Sequence, residues 1–219
     1  MKIFSSLFFS LLFVNAFSQI NRKDFTQFVN PFIGTASKDT NSLSGSVFPG
    51  ACMPFGMVQL SPDNYDAPED PASAYNYKEK TIVGFSHTHL NGTGVGDLYD
   101  VLVQPIAGTV LWQPGDAAKP RSGYRSVFSH TTEKASPGYY AVQLDDYNIK
   151  VELTATEHVG FHKYNFPKTE STYILYDLDH TLDKKRPYWV CKVVAAHMKQ
   201  VDKYTIEGYR ILTGWARLR

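Results

Sequence analysis

Two histidines and two aspartates lie close together in a glycine-rich stretch, GFSHTHLNGTGVGDLYD, over residues 84–100. His87 and His89 alternate at the end of an apolar run, and Asp97 and Asp100 follow a loop with a glycine at every second position. Imidazole and carboxylate groups at the end of a strand can exchange protons, bind a metal ion or hydrogen-bond a polar ligand. The stretch therefore predicts a polar site on a β scaffold.

The residues alone leave three interpretations of this site open: metal ligation, contact with a polar substrate, and buried structural hydrogen bonding. A His-x-His spacing on a strand puts both rings on one face, but a metal would need a third ligand, such as Asp97, Asp100 or His130. The two aspartates could form an acid/base pair. Carboxylates three residues apart in a glycine-rich loop more often cap turns.

The elements that must position these groups are predicted to be strands. Eight to ten short runs of alternating apolar residues are separated by turn signals, and after the N-terminal leader no segment has a long apolar stripe of helical period. Residues 149–156 and 159–166 predict a hairpin that turns at Glu157 and His158. We therefore expect an all-β fold, a β-sandwich of the supersandwich or jelly-roll type.

Two prolines set expected limits on individual strands. A strand over residues 57–60 is expected to end at Ser61, Pro62 and Asp63. Pro105 predicts that the strand over residues 101–110 lies at a sheet edge or is irregular, because proline cannot donate a hydrogen bond to the ladder.

The N-terminus predicts export. Residues 1–18 combine a positive Lys2, an apolar run and the small-x-small site Ala16-Phe17-Ser18, which together are typical of a signal peptide. The mature chain is then expected to begin at Gln19 and to be periplasmic or secreted. The apolar run is too short for a membrane span. A net charge of +1 without a basic stripe argues against nucleic acid as a partner.

The two cysteines, Cys52 and Cys191, could form one disulfide in an oxidising compartment. Their wide separation in sequence does not predict that they meet. Two free thiols are therefore the favoured interpretation.

Seven sequence blocks resemble, in the same order, the N-terminal region of glycoside hydrolase family 92. They are VNPFIGT (29–35), FPGACMPFGMVQLSPD (48–63), GFSHTHLNGTGVGD (84–97), YRSVFSH (124–130), ASPGYYAVQLDD (135–146), IKVELTATEHVGFHKYNFP (149–167) and GYRILTGWA (208–216). The combination of FSHTHL-x-GTG with PFGM-x-QLSPD is specific. The blocks cover most of residues 19–219, which are therefore expected to form this β domain.

The resemblance implies an exported, inverting exo-α-mannosidase that needs Ca²⁺ and acts on mannose-containing glycans. Members pair an N-terminal β-sandwich with a larger C-terminal (α/α)₆ domain, and the active site lies between the two. The second domain supplies the acid, the base and most calcium ligands, so no catalytic or metal residue is expected in this chain. A chain that stops at Arg219 is expected to be inactive alone and to lack further strands, as a truncated or frameshifted product would.

The resemblance also implies which residues line part of the sugar pocket. The FPG turn and the two histidines form its expected wall, a tyrosine is a candidate for stacking near the leaving group, and an aspartate is a weaker candidate for a hydrogen bond. These residues are Phe48, Gly50, His87, His89, Tyr77 and Asp63.

Two other functions are compatible with the same residues. In the first, the chain is a stand-alone carbohydrate-binding module in which Tyr75 and Tyr77 form an open aromatic surface. In the second, it is a metal-dependent hydrolase that uses His87, His89 and Asp97.

Overall fold

The computed structural model describes residues 23–36, 46–64, 73–92, 96–181, 191–214 and 217–218, and the predicted signal peptide lies outside them. Among these residues the chain forms β-strands, one 3₁₀ turn at Thr26–Phe28 and no α-helix. The strands are β1 (Ala51–Cys52), β2 (Gln59–Asp63), β3 (Thr81–Ile82), β4 (Gly84–Ser86), β5 (Leu102–Ala107), β6 (Ser126–Val127), β7 (Lys134–Ser136), β8 (Tyr139–Leu144), β9 (Ile149–Ala155), β10 (Gly160–Asn165), β11 (Thr172–Asp177), β12 (Lys192–Gln200), β13 (Ile206–Gly214) and β14 (Arg217–Leu218).

The strands form antiparallel sheets. The larger two have the strand orders β1-β2-β4-β5-β11 and β10-β9-β8-β7. Smaller sheets consist of β12-β13-β14 and β3-β6. Antiparallel pairing joins every neighbouring pair of strands, as expected for a chain whose strands are linked by turns and loops.

The main core lies between the two larger sheets. Along β9, Ile149, Val151, Leu153 and Ala155 are buried, while Lys150 and Thr154 between them are exposed, so one face of the strand points inward. These apolar side chains pack in one cluster with residues of β2 and β4. Burial of two facing apolar surfaces defines a β-sandwich, which confirms the predicted all-β class.

The hairpin of β9 and β10 is also confirmed, because Ala155 pairs with Gly160 across the turn. The prediction that Pro62 and Asp63 end their strand was wrong. Both belong to β2, where Pro62 pairs with Phe85 and Asp63 with Gly84 of β4. The backbone is held on this side by β4, so the strand continues one residue beyond the proline.

Pro105 was predicted to place its strand at a sheet edge or to make it irregular, and the edge alternative was wrong. β5 lies inside the five-stranded sheet, between β4 and β11. Its pairing with β4 is limited to Phe85 with Val103, whereas Pro105 pairs with Ile174 of β11. Proline is tolerated here because the neighbour on one side ends before reaching it.

The β12–β13 hairpin is much more exposed than the sandwich. Most of its residues are accessible to solvent, although Leu212 is buried. In the part of the chain that the structure describes, no helix is long and apolar enough to cross a membrane. Cys52 and Cys191 are both free thiols, as favoured from the sequence.

Candidate functional site

Asp63, at the end of β2, is the centre of a buried hydrogen-bond network. Its Oδ1 accepts hydrogen bonds from His89 Nε2 at 2.8 Å and from Ser86 Oγ at 3.0 Å. Its Oδ2 accepts one from His180 Nε2 at 2.7 Å. Burial opposes ionisation of the carboxyl, but the hydrogen bonds from His180 and His89 outweigh it and hold the pKa of Asp63 below its ordinary value.

His89 links this carboxylate to the neighbouring aromatic residues. Its Nδ1 lies 2.7 Å from the carbonyl oxygen of Gln59, so acceptors face both ring nitrogens. The ring of Phe48 lies 4.9 Å away between centroids, and that of Tyr99 lies 5.8 Å away edge-on. The structure therefore brings three predicted site residues together: Phe48, Asp63 and His89.

Gly50 lies against β2, next to this network. A Cβ atom at position 50 would be 2.3 Å from the carbonyl oxygen of Leu60 and 2.4 Å from Cβ of Ser61. Real Cβ atoms do not approach backbone that closely, so close packing of β2 requires glycine here. The FPG turn is thereby held against the strand that carries Asp63.

His87 has a different set of partners from His89. β4 ends at Ser86, so the two histidines do not share the face of one strand as predicted. His87 Nδ1 lies 2.9 Å from the carbonyl oxygen of Val101, and its Nε2 lies 3.1 Å from Nε2 of His162 on β10. The two predicted site histidines have no hydrogen-bond partner in common among these contacts.

His87, His162 and Tyr164 form one chain of hydrogen bonds. Burial lowers the pKa of His87, and it lowers that of His162 to about 3, so both rings are neutral near pH 7. With neutral rings the Tyr164 hydroxyl donates to His162 Nδ1 at 2.6 Å, and His162 Nε2–H donates to His87 Nε2. His87 Nδ1–H then donates to Val101. A cavity of ≈ 400 Å³ lies beside these three side chains and is also lined by Ile174 and Tyr176.

The aspartates of the glycine-rich stretch hold backbone and neighbouring side chains. Asp97 Oδ1 accepts a hydrogen bond from the backbone N–H of Leu98 at 2.9 Å and lies 3.2 Å from Cys191 Sγ. Asp100 Oδ2 accepts one from Thr88 Oγ1 at 2.8 Å. The Asp97 contact with backbone matches the turn-capping interpretation, whereas the described partners of the Asp100 carboxylate are the side chains of Thr88 and Arg210. The described residues contain no group of three or more His, Cys, Asp or Glu that could hold a metal ion, so they do not support the metal-hydrolase alternative.

Tyr77 is the predicted site residue with the most accessible ring, and its ring contacts are not with residues of the Asp63 network. The residue is 41% exposed, and its ring stacks on that of His130 with 3.9 Å between centroids and 14° between planes. Phe32 contacts Tyr77 edge-on at 5.6 Å. A cavity of ≈ 290 Å³ lies beside Tyr77 and Phe32, lined also by Asn30 and Thr35.

Tyr75 does not share that surface, so the predicted open pair of tyrosines was wrong. Tyr75 is 2% exposed, and its hydroxyl donates to Glu133 at 2.9 Å. Segment 75–77 is not a strand, so alternate residues do not project to one side. Local sequence could not reveal this, because Glu133 lies far along the chain.

Among the residues of these networks that were not singled out from the sequence as site candidates are three titratable ones: Glu133, His162 and His180. His162 contacts His87, His180 contacts Asp63, and Glu133 contacts Tyr75, and in each pair the two residues lie far apart in sequence. The spacing of His130 and Glu133 in HTTEK, and of His162 and Tyr164 in HKY, was the only local signal available.

The chain is an antiparallel β-sandwich with carboxylate–histidine networks in its interior. It also presents an exposed tyrosine beside a surface cavity. A model of the glycosyl hydrolase family 92 N-terminal domain matches residues 28–219 of this chain. The chain therefore belongs to glycoside hydrolase family 92, and the resemblance found in its sequence blocks is confirmed.

Solved structures and a curated protein agree with this assignment. A family 92 α-mannosidase of Bacteroides thetaiotaomicron is 40% identical, with a TM-score of 0.80 over 89% of this chain and 24% of that one. A family 92 glycosyl hydrolase, ccman5, is 25% identical, with a TM-score of 0.67 over 88% of this chain and 24% of that one. An uncharacterized secreted glycosidase of Arthroderma benhamiae is 30% identical over 151 residues, which are 66% of this chain and 18% of that protein. The chain thus spans about a quarter or less of each relative.

Proposed function

We propose that this chain is the N-terminal β domain of an exported exo-α-mannosidase that acts on mannose-containing glycans, and that it contributes part of the sugar pocket. The observation that carries the proposal is the 40% identity to a family 92 α-mannosidase over 89% of the chain. A second structure of that enzyme holds mannoimidazole. Export is supported by the signal-peptide pattern of residues 1–18 and by the secreted relative.

Tyr77 is the residue of this chain best placed to contact a sugar. Its ring is accessible, flat against His130 and next to a cavity that is also lined by Asn30 and Thr35. An aromatic face with neighbouring hydrogen-bonding groups suits the apolar face and hydroxyls of a pyranose ring. Phe48 and His89 are proposed to shape a second part of the pocket through their contact with each other.

The acid and base of the proposed reaction are assigned to a second domain. An inverting glycosidase needs one carboxyl to protonate the leaving oxygen and another to activate a water, about 6.5–9.5 Å apart. The buried carboxylates Asp63 and Glu133 accept hydrogen bonds on both oxygens from residues of this chain. Neither is therefore available for that chemistry.

Calcium is proposed to bind outside the described residues. Ca²⁺ takes six to eight oxygen ligands, usually including several carboxylates. The described residues do not fit this requirement, since they contain no group of three or more His, Cys, Asp or Glu that could hold a metal ion. The two carboxylate oxygens of Asp63 already contact His89 and His180, so Asp63 is not proposed as a calcium ligand.

The proposal is tested with the purified 219-residue chain. We expect no release of mannose from an aryl α-mannoside, and binding of methyl α-mannoside with a Kd on the order of millimolar. Tyr77→Ala should abolish the binding measured by ligand-observed NMR. The control is Trp112→Ala, which removes another accessible aromatic ring, 77% exposed, that lines none of the cavities described above. Mannose release, or binding unaffected by Tyr77→Ala, would contradict the assignment.

A stand-alone carbohydrate-binding module is the second candidate, and the exposed Tyr77 favours it as well. The two candidates differ in the affinity expected of the isolated chain. A module that works alone should bind mannosides with micromolar affinity, whereas half of a pocket should not. The same titration therefore separates them.

A further inference from the structure

Glu133 is a buried carboxylate that lies at the centre of three hydrogen-bond donors. The Tyr75 hydroxyl lies 2.9 and 3.0 Å from its two oxygens, and the Tyr140 hydroxyl lies 2.6 Å from Oε1. His130 Nδ1 lies 2.5 Å from Oε2. The Glu133 side chain has no exposed area. Burying a charge is costly, and a group so fully surrounded by donors holds each of them in a fixed orientation.

His130 transmits this orientation to the surface. Its Nδ1 is fixed by Glu133, and Phe128 contacts the ring edge-on at 5.0 Å. Two contacts at different positions on a planar ring fix its plane. The same ring forms the support on which Tyr77 stacks, with 14° between the two planes. The plane of Tyr77 therefore follows from that of His130.

Among the described residues, Tyr77 has two ring contacts and one backbone hydrogen bond. It lies in a turn, and its backbone N–H donates to Thr35 at 3.1 Å. Apart from His130, the ring contact described for Tyr77 is the edge of Phe32. A ring that stacks on a ligand contributes most when its plane is set before binding, because ordering it on binding costs entropy.

We propose that Glu133 and His130 are positioning residues that hold the Tyr77 ring ready to stack on a sugar. Glu133 acts through His130 and does not touch the ligand. The sugar-stacking half of this inference rests on the proposed function of Tyr77, whereas the fixing of its ring does not.

The first experiment measures the ring without any ligand. The ring ¹H–¹³C resonances of Tyr77, assigned by their loss in Tyr77→Ala, should shift in Glu133→Gln because His130 loses its anionic acceptor. His130→Phe retains a stacking ring but not the hydrogen bond, and His130→Ala removes both. We expect the shift to increase from His130→Phe to His130→Ala. The matched control is Glu152→Gln, which alters another carboxylate that accepts a tyrosine hydroxyl, that of Tyr139 at 2.7 Å.

The second experiment measures the affinity for methyl α-mannoside at a temperature where every variant is folded. Glu133→Gln and His130→Ala should each weaken binding about tenfold, while Glu152→Gln should leave it unchanged. A purely structural Glu133 would lower the melting temperature and leave both the Tyr77 resonances and the affinity as they are, which would overturn the inference.

The two readouts separate this inference from the proposed function. If the unaltered chain binds no mannoside but the Tyr77 resonances move as expected, the role of Glu133 and His130 in fixing the Tyr77 ring is supported and the proposed mannoside ligand is contradicted. If mannoside binds through Tyr77 but the Glu133 and His130 variants change neither the Tyr77 resonances nor the affinity, only the positioning role of Glu133 and His130 is contradicted. Should Glu133→Gln fail to fold, the two His130 variants decide, because His130 lies at the partly exposed end of the network.

Discussion

Asp63 connects parts of the chain that are far apart in sequence. It joins the end of β2 to Ser86 of β4, to His89 in the loop that follows and to His180 beyond β11. From the sequence it was only a weak candidate for a hydrogen bond to ligand. In the structure its oxygens are used inside the protein, so its main effect is on the shape of the region that holds His89.

Removing the charge of Asp63 should destabilise the fold. Asp63→Asn replaces one acceptor oxygen by an amide that cannot accept from the second histidine, and we expect a loss of about 3–5 kcal/mol in the free energy of unfolding. Urea denaturation followed by tryptophan fluorescence measures it. Asp116→Asn, on an exposed loop, should change stability by less than about 0.5 kcal/mol. Equal effects of the two substitutions would contradict the network's importance.

The His87–His162 pair predicts a dependence of stability on pH. In the unfolded chain His162 takes up a proton near its ordinary pKa of 6.5, but in the folded chain only near 3. Between these values the unfolded state binds more protons, so the free energy of unfolding should fall as pH decreases from 6.5 towards 3. One histidine contributes a slope of at most about 1.4 kcal/mol per pH unit.

His162→Gln should flatten this slope above pH 4, where Asp63 contributes little because its ordinary pKa is already 3.8. The measurement is urea denaturation at a series of pH values. A variant with the slope of the unaltered chain would show that His162 is not the buried neutral group that the structure describes.

At this scale the sequence could predict which residues are polar and clustered, but not their partners. His87 and His89 stood out by type and spacing. Their separation into two networks depends on the end of β4 at Ser86 and on contacts with Asp63 and His162, which lie far away along the chain. Such contacts leave no periodic pattern.

Among the elements, the longer strands were predictable because they are long enough to show a period. β9 and β10 lie within about one residue of the expected runs at each end. Strands of two or three residues, such as β1, β3 and β6, contain too few positions to alternate. They were found only through their pairing partners.

The close contact of the FPG turn with β2 gives a prediction for this element. Gly50→Ala places a methyl group against the backbone of Leu60 and Ser61, so β1 and β2 must separate. We expect a loss of about 1–3 kcal/mol in the free energy of unfolding. In the control, Gly160→Ala, the nearest atoms are side-chain ends at 3.2–3.3 Å, which can move, so the loss should be smaller. Thermal denaturation compares the two, and a larger loss at Gly160 would contradict the packing described.

The whole molecule combines a well-packed sandwich with an exposed hairpin. Several apolar side chains of β12, β13 and the turn between them are accessible, among them Val194, Met198, Tyr204, Ile206 and Tyr209. A groove of ≈ 370 Å³ lies between this hairpin and the end of β11. Accessible apolar area of this kind binds hydrophobic probes and promotes association.

The purified chain should therefore enhance the fluorescence of anilinonaphthalene sulfonate under native conditions. The double variant Met198→Thr/Ile206→Thr, which makes two groove residues polar, should reduce the enhancement by about half. Val159→Thr alters an equally exposed valine of the β9–β10 turn that does not line this groove, and it should have no effect. If all three proteins gave the same signal, the hairpin would not be the site of probe binding.

The strand order of the five-stranded sheet also predicts the order in which strand pairs form during folding. β8, β9 and β10 follow one another and pair as neighbours, so each new contact closes a short loop. β11 instead pairs with β5, and Thr172 pairs with Ala107. The meander of strands β7 to β10 lies between these two strands in the sequence. Because contacts between distant residues form slowly, we expect the meander to fold first and the β5–β11 pairing to limit the rate. A chain that emerges N-terminus first therefore leaves one edge of β5 uncovered until residues 172–177 have followed.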